Sequence, residues 1–382
     1  MTWQNRLVQI GESLYGPIAH DISWEQISSQ NIIQLPKRIY NEAAEFIETF
    51  YELMKDSLYQ KMALSSFPNG NPIEVEPVLC CFDFHVDNDQ LILIEANTNA
   101  SGFLLAHIVN LSKNTSILPP EQSILDLKRS FQQASGQTSP AIVIIDENIA
   151  DQKMRAEFYL YQKIFTLWGW DCEIYDIAKK EFVTKNRNQK SILDFNFVYN
   201  RYCDFILQDK NYEYINNLYY SGKIKFSPNP KSYLLLADKA RLVELSQPEI
   251  LHNLNLPQKM IQILNAHIPT TLPLHYWSDP EKLWEERKNL FFKPQQSYGS
   301  KQAYKGKGMS RKKFNEIIDQ EFIAQRFTPP GEFKDPHGIT WKYDLRFYCF
   351  AGKIHQFIAR SYQGQLTNFN TPGGGFTAVS FN

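Results

Sequence analysis

The apolar positions of this chain of 382 residues change rhythm along its length. Over residues 24–65 they recur every three or four places, most clearly in "RIYNEAAEFIETFYELMKDSLYQKMAL". That spacing lines one face of a helix, and Pro36 stands where a helix starts. "SSFPNGNP" breaks it. Two extended runs follow, "PVLCCFDFHV" and "QLILIEANT", and the "DNDQ" between them predicts a hairpin. From about residue 115 the pattern alternates: the buried strand "AIVIIDEN", helical "QKMRAEFYLYQKIFTLWGW", then the strands "DCEIYDI" and "FNFVYNR". Such alternation predicts a parallel α/β unit. "FSPNPKSY" reads as a Pro-punctuated linker. Helical "LLLADKARLVELSQ" comes next, then a strand that ends in "KPQQSYGSKQAYKGKG". The final strands are "EFIAQRF", "KYDLRFYCFAGKIHQFIARSY", with a hairpin at "AGK", and "TNFNTPGGGFTAVSFN". No repeat, heptad or low-complexity tract is visible.

Composition narrows the function. Lys plus Arg is 40 against 41 for Asp plus Glu, a balance that argues against a protein built to coat nucleic acid or an anionic membrane. No apolar run approaches the ~20 residues of a membrane span, and "MTWQNRLVQIGESLYG" lacks the pattern of a signal peptide. The 5 cysteines show no CxxC or Cys/His metal spacing, which predicts a reduced, cytoplasmic setting.

Three constellations carry candidate chemistry. Glu95 and Asn97 lie two apart on an extended segment and so share a face. With Asp83 on the adjacent strand they offer three oxygen ligands suited to Mg²⁺, although a solvated hairpin would carry the same residues. The loop after Lys293 has the glycine and lysine content to wrap phosphates. It is neither a P-loop nor a GxGxxG fingerprint, and a solvated basic loop is the plain alternative. Asp344 and Arg346 alternate on one strand face, with Arg360 on the next strand and Arg201 at the end of an α/β strand where ligands gather. Charges inside apolar strands need partners or a ligand. Inter-strand salt bridges would also explain them. No nucleophile stands out: there is no GxSxG elbow, and Ser101 and Ser297 have no neighbouring His signature.

Taken together, these pieces resemble the ATP-grasp ligases, in which two α+β lobes clamp ATP. "LADKARLVEL" is similar to the family's first lysine helix, which points to Lys239. "FFKPQQSYGS" is similar to the second lysine strand and phosphate lid, which points to Lys293, Ser297, Tyr298, Gly299, Ser300 and Lys301. "EFIAQRF" resembles the hinge that lines adenine, through Ala324, Gln325 and Phe327. "DLRFYCF…ARSYQGQLTNFNTPGGG" resembles the large-lobe core. There the resemblance implies catalytic roles for Arg346 and Arg360, and substrate contacts from Asn368 and Gly374. In most of the family the ExN strand follows this core; here it comes first, at Glu95. That is the circularly permuted order of eukaryotic glutathione synthetase and of the glutathionylspermidine synthetases, and Asp83 matches the extra metal aspartate of the latter. Two positions depart from the pattern: Ser297 stands where an acidic metal residue is found in the lid, and Cys81 where an arginine grips substrate.

The fold expected is therefore α+β: an ATP-grasp fold in permuted order with an inserted Rossmann-like α/β substrate domain. Residues 1–112 and 321–382 would form the large lobe, 113–230 the inserted domain and 231–320 the small lobe. The Glu95 strand should then share a sheet with the Asp344–Arg346 strand, despite about 250 intervening residues. The activity implied is ATP- and Mg²⁺-dependent ligation, with two metal ions, of a small acid or peptide-like substrate to an amine or thiol through an acyl phosphate. A carboxylate clamp of Arg201 and Arg360, lined by Asn99 and Ser101, is the expected acid site. A small-molecule kinase and a non-catalytic nucleotide-binding module are the alternatives from the same fold.

Overall fold

The computed structural model describes residues 2–16, 22–68, 70, 72–116, 119–179, 190–277, 279–295 and 303–382. Its strands come in three groups. The chain lays down β1 (Ser28–Leu35), β2 (Cys80–Asp87) and β3 (Gln90–Asn97), then β4 (Ile142–Asp146), β5 (Cys172–Asp176), β6 (Phe197–Asn200) and β7 (Lys225–Ser227). It continues with β8 (Thr271–Pro273), β9 (Leu290–Pro294), β10 (Tyr304–Lys305) and β11 (Phe322–Arg326). It ends with β12 (Gly331–Lys334), β13 (Thr340–Phe350), β14 (Lys353–Tyr362) and β15 (Gly375–Phe381).

The largest sheet joins strands far apart in sequence. Its order is β1-β15-β14-β13-β2-β3, with β12 on β13. β2 pairs antiparallel with β13, placing Arg346 opposite Asp83, and Asp83 opposite Glu95 on β3. The expected sharing of a sheet by the Glu95 and Asp344–Arg346 strands is thus present. Asn88 and Asp89, at φ 47° and 64°, make the β2–β3 turn in the left-handed backbone conformation that a tight two-residue hairpin turn needs. Ala351 and Gly352 do the same between β13 and β14.

The expectation of helix over 24–65 is corrected in part, although a helix does start after Pro36. Only Trp24–Ile27, Lys37–Leu53 and Ser57–Ala63 are helical, and Ser28–Leu35 between them is β1. The local pattern is overridden because β1 finds a parallel partner in β15, with Ile33 opposite Val379. On one face of the sheet, helix Lys37–Leu53 packs Phe46 and Phe50 against Phe82 and Phe84. On the other, helix Phe103–Lys113 packs on Tyr348, Ile358 and Phe376. That helix is apolar nearly all round because the large sheet lies on one side of it and the helices Trp3–Tyr15 and Arg155–Leu167 on others.

The second sheet, β5-β4-β6-β7, is parallel throughout, as the alternation of strand and helix requires. "FSPNPKSY" is not a linker: it holds the end of β7 and the start of helix Pro230–Leu236. Its proline sits at the first helical position and Asn229 caps the helix, so the same residues read as a helix start. The third sheet, β10-β9-β11-β8, is antiparallel. β11 belongs to it, so the third unit extends past the division expected at residue 320. The whole is a mixed α+β fold, and among the described residues no helix is long and apolar enough to cross a membrane.

Candidate functional site

Where the third sheet meets the large one, two lysines are buried against a carboxylate. Lys293 rides on β9, and its Nζ donates to the main-chain oxygen of Ile94 (3.0 Å) and to Gln325 Oε1 (2.9 Å). Only 5% of Lys293 is exposed, and burial pulls its pKa down to about 8, with Lys239 adding repulsion and Glu95 resisting. Lys239, at the start of helix Ala240–Leu245, is also buried. Burial lowers its pKa as well, against the pull of Glu95 and Asp238. A small cavity here is lined by Glu95, Asp238, Lys239 and Arg241 together with apolar side chains that include Phe50, Leu93 and Leu242. Two lysines brought into low dielectric beside Glu95 and Asp238 keep their charge at a desolvation cost that a polyanion would offset.

Beside this pair, on the large sheet, lies a network of arginines and aspartates. Arg346 holds Asp83 with two bonds of 2.7 Å from Nε and Nη2. Arg360 donates to the same Asp83 (2.9 Å) and to both oxygens of Asp344 (2.7 and 3.0 Å). Thr367 adds a bond of 2.6 Å to Asp344. Burial alone would raise the pKa of Asp83; the two guanidinium groups outweigh it and hold the carboxyl below its ordinary range. Asn97 Nδ2 reaches both Asp83 Oδ2 (3.4 Å) and Glu95 Oε1 (3.3 Å).

This geometry divides the proposed metal set. The oxygens of Asp83 already accept four donors, from Arg346, Arg360 and Asn97. A cation would have to displace a bidentate arginine to reach them. Glu95 and Asn97 fit a hard divalent ion better: they share a face, are partly exposed, and lie beside the lysines. Among the described residues no group of three or more His, Cys, Asp or Glu is placed to hold a metal ion. A Mg²⁺ here would therefore rest on Glu95, Asn97, waters and phosphate oxygens.

The residues expected to hold the nucleotide are placed unevenly. Gln325 faces the site, bridging Lys293 and, through Nε2, Thr271. Ala324 turns into the apolar cluster of the third unit with Phe292 and Phe314. Phe327, just past β11, has Lys305 Nζ 4.0 Å from its ring centroid. Ser297, Tyr298, Gly299, Ser300 and Lys301 lie outside the described residues.

The residues expected to hold substrate are largely engaged within the protein. Arg201 Nη1 donates to the main-chain oxygen of Ala100 and to Tyr199 Oη (both 2.9 Å), and its Nη2 lies 3.9 Å from Glu157. Asn99 Nδ2 donates to the main-chain oxygen of Arg201 (2.6 Å), and Ser101 Oγ to Glu157 (3.2 Å). Asn368 organises its own loop through Leu366, Asn370 and Thr371. A Cβ on Gly374 would lie 2.6 Å from the Ser361 oxygen and 3.3 Å from the Trp341 ring, so packing alone demands glycine there. Arg201 and Arg360 therefore serve protein carboxylates and carbonyls rather than forming an open clamp. Sequence reasoning missed Glu157. Its signal was present: on helix Arg155–Leu167 it falls on the apolar stripe with Tyr161 and Ile164.

No protein-family model matches this chain, and no curated protein matches it. Among solved structures, a protein of Methylobacillus flagellatus KT provisionally named gamma-glutamylcysteine synthetase is similar at 11% identity and a TM-score of 0.49. The likeness spans 90% of this chain and 88% of that one. At that level it carries no argument about activity.

Proposed function

We propose that this protein is an ATP-dependent ligase that joins a small acid or peptide-like substrate to an amine, with ATP and Mg²⁺ as its cofactors. The observation that carries the reading is the pair of buried lysines, Lys239 and Lys293, facing Glu95 across the junction of two sheets. Such a site holds its cations at a cost in desolvation that a polyanionic ligand offsets. Lys293 would exchange the Ile94 carbonyl and Gln325 for phosphate oxygens, and Lys239 would meet the same chain of phosphates. When bound at Glu95 and Asn97, Mg²⁺ would offset charge on the transferring phosphoryl group.

Transfer of the γ-phosphoryl group to a substrate carboxylate gives ADP and an acyl phosphate. An amine then attacks the acyl carbon, loses a proton, and phosphate leaves. In this scheme the arginine–aspartate network keeps Arg346 and Arg360 rigid at the edge of the site, and the Arg360 Nη1 that none of the bonds above uses is the donor offered to the acid.

Hydroxylamine trapping tests the chemistry. Purified protein is incubated with ATP, Mg²⁺, hydroxylamine and a panel of amino acids, short peptides and dicarboxylic acids, and hydroxamate and ADP are measured. Equal amounts of both mark an acyl phosphate. ADP with a stable phosphate ester of a hydroxy compound would instead mark a kinase. ATP binding without turnover on any substrate would mark a binding module. Glu95→Gln keeps the shape and removes a charge, and its turnover should fall ~10²-fold. Wild-type turnover in that variant removes Glu95 from the site.

A further inference from the structure

The turn that follows the Glu95–Asn97 strand is held by a different part of the molecule. Glu157, on helix Arg155–Leu167 beside the parallel sheet, is 2% exposed. Its Oε2 accepts from Gly102 N (2.7 Å) and Ser101 Oγ (3.2 Å), and its Oε1 from Leu104 N (3.3 Å). Arg201, from the end of β6, adds bonds to Ala100 and Asn99. From the large sheet, Arg346 Nη1 (3.2 Å) and Tyr348 Oη (2.8 Å) donate to the Ser101 oxygen. Arg346 thus touches both this turn and Asp83, whose carboxylate accepts from Asn97.

The turn has little room to move in any other way. Gly102 sits at φ +93°, and a Cβ there would lie 2.3 Å from Phe376 Cζ. Gly102 also caps helix Phe103–Lys113, whose first main-chain donors lack partners within the helix. A buried carboxylate on an apolar helical face is costly unless its bonds are needed. Here those bonds end a few residues from Asn97, at a turn that both the α/β unit and the large sheet grip.

We infer that Glu157 is a positioning residue for the cation end of the site, fixing Glu95 and Asn97 through the 98–104 turn and coupling them to the α/β unit. This rests on the reading that Glu95 and Asn97 hold Mg²⁺ with nucleotide. Lys239 and Lys293 come from other elements, the start of helix Ala240–Leu245 and β9, so metal-free nucleotide binding should depend on Glu157 far less than the Mg²⁺ requirement does.

The test uses the full chain, with Glu157→Ala and Glu157→Gln. ATP binding is measured by calorimetry without metal and across a Mg²⁺ titration, alongside Tm. The Mg²⁺ concentration for half-maximal enhancement of ATP binding should rise about tenfold in Glu157→Ala, the usual effect of losing a group that orients a ligand. Metal-free ATP affinity should stay within about twofold of wild type on the same reasoning. Glu157→Gln keeps one acceptor oxygen and should recover part of the loss. A lower Tm with a wild-type Mg²⁺ requirement overturns the proposal, making Glu157 a helix cap and nothing more. If Glu157→Ala does not fold, Glu157→Gln decides alone: a raised requirement supports the proposal, an unchanged one overturns it. Wild-type protein whose ATP binding ignores Mg²⁺ overturns the functional reading and the proposal with it.

Discussion

Replacing Lys293 with methionine should make the ligand-free protein more stable while removing its grip on nucleotide. The fall of the lysine pKa from 10.5 to about 8 on burial measures what the fold loses by keeping it charged. At about 1.4 kcal/mol for each tenfold change in proton affinity, that is about 3 kcal/mol at pH 7. Methionine fills similar space without the charge, but strands the Ile94 carbonyl and Gln325 Oε1, at about 1 kcal/mol each. The net expectation is a gain of about 1 kcal/mol at pH 7. The sign then depends on pH. A base with a depressed folded pKa carries its full penalty below that value, and the penalty fades as the folded protein releases its proton. Near pH 9.5 about 2 kcal/mol of the wild-type penalty is gone, and the variant should lose its advantage. Urea unfolding at both pH values, without nucleotide, reads the crossover. ATP affinity should fall about 10- to 100-fold, the worth of a charge-assisted bond. A variant that is more than about 2 kcal/mol less stable than wild type at both pH values, yet binds ATP normally, refutes the reasoning and makes Lys293 structural.

Arg346→Leu leaves Asp83 buried with one guanidinium instead of two. It should destabilise by about 3 kcal/mol in urea melts, and adding Asp83→Leu should restore most of that; a loss below about 1 kcal/mol would show that Arg360 suffices alone. Because Asp83 is held below its ordinary 3.8 by those arginines, the stability it contributes is present above 3.8 and lost as pH falls through its folded value. In acid titrations that late loss should be absent from the double variant. Gly102→Ala combines a left-handed residue with a clash against Phe376 and should cost about 2–4 kcal/mol by thermal or urea unfolding; near-wild-type stability would mean that the turn re-forms elsewhere.

The grouping of the candidate residues was legible because strands obey a period of two. Once the "DNDQ" turn fixes the hairpin, Asp83, Glu95 and Asn97 must share a face, and the same alternation puts Asp344, Arg346 and Arg360 together. What alternation cannot supply is who answers each charge. Asp83 reads as a metal ligand until Arg346 is seen opposite it in the register. Arg201 reads as a substrate clamp until its guanidinium is found on a carbonyl from a segment about 100 residues earlier. β1 was missed for the same reason. Its residues fall in a stretch whose spacing reads as helix, and β15, the strand that overrides that reading, is nowhere near it in sequence.

The joining of early and late strands into one sheet also sets an order of events during synthesis. β2 and β3 leave the ribosome long before β13 and β15, and at 5–20 residues per second the gap is tens of seconds. Until β13 arrives, the apolar edge of β2 has no strand to pair with and Asp83 has no arginine to meet. β1 waits likewise for β15. Its final main-chain bonds tie Leu35 and Lys37 to Asn382. The large sheet should therefore stay incomplete until β13 and β15 have emerged, and a slow folding step should follow their arrival.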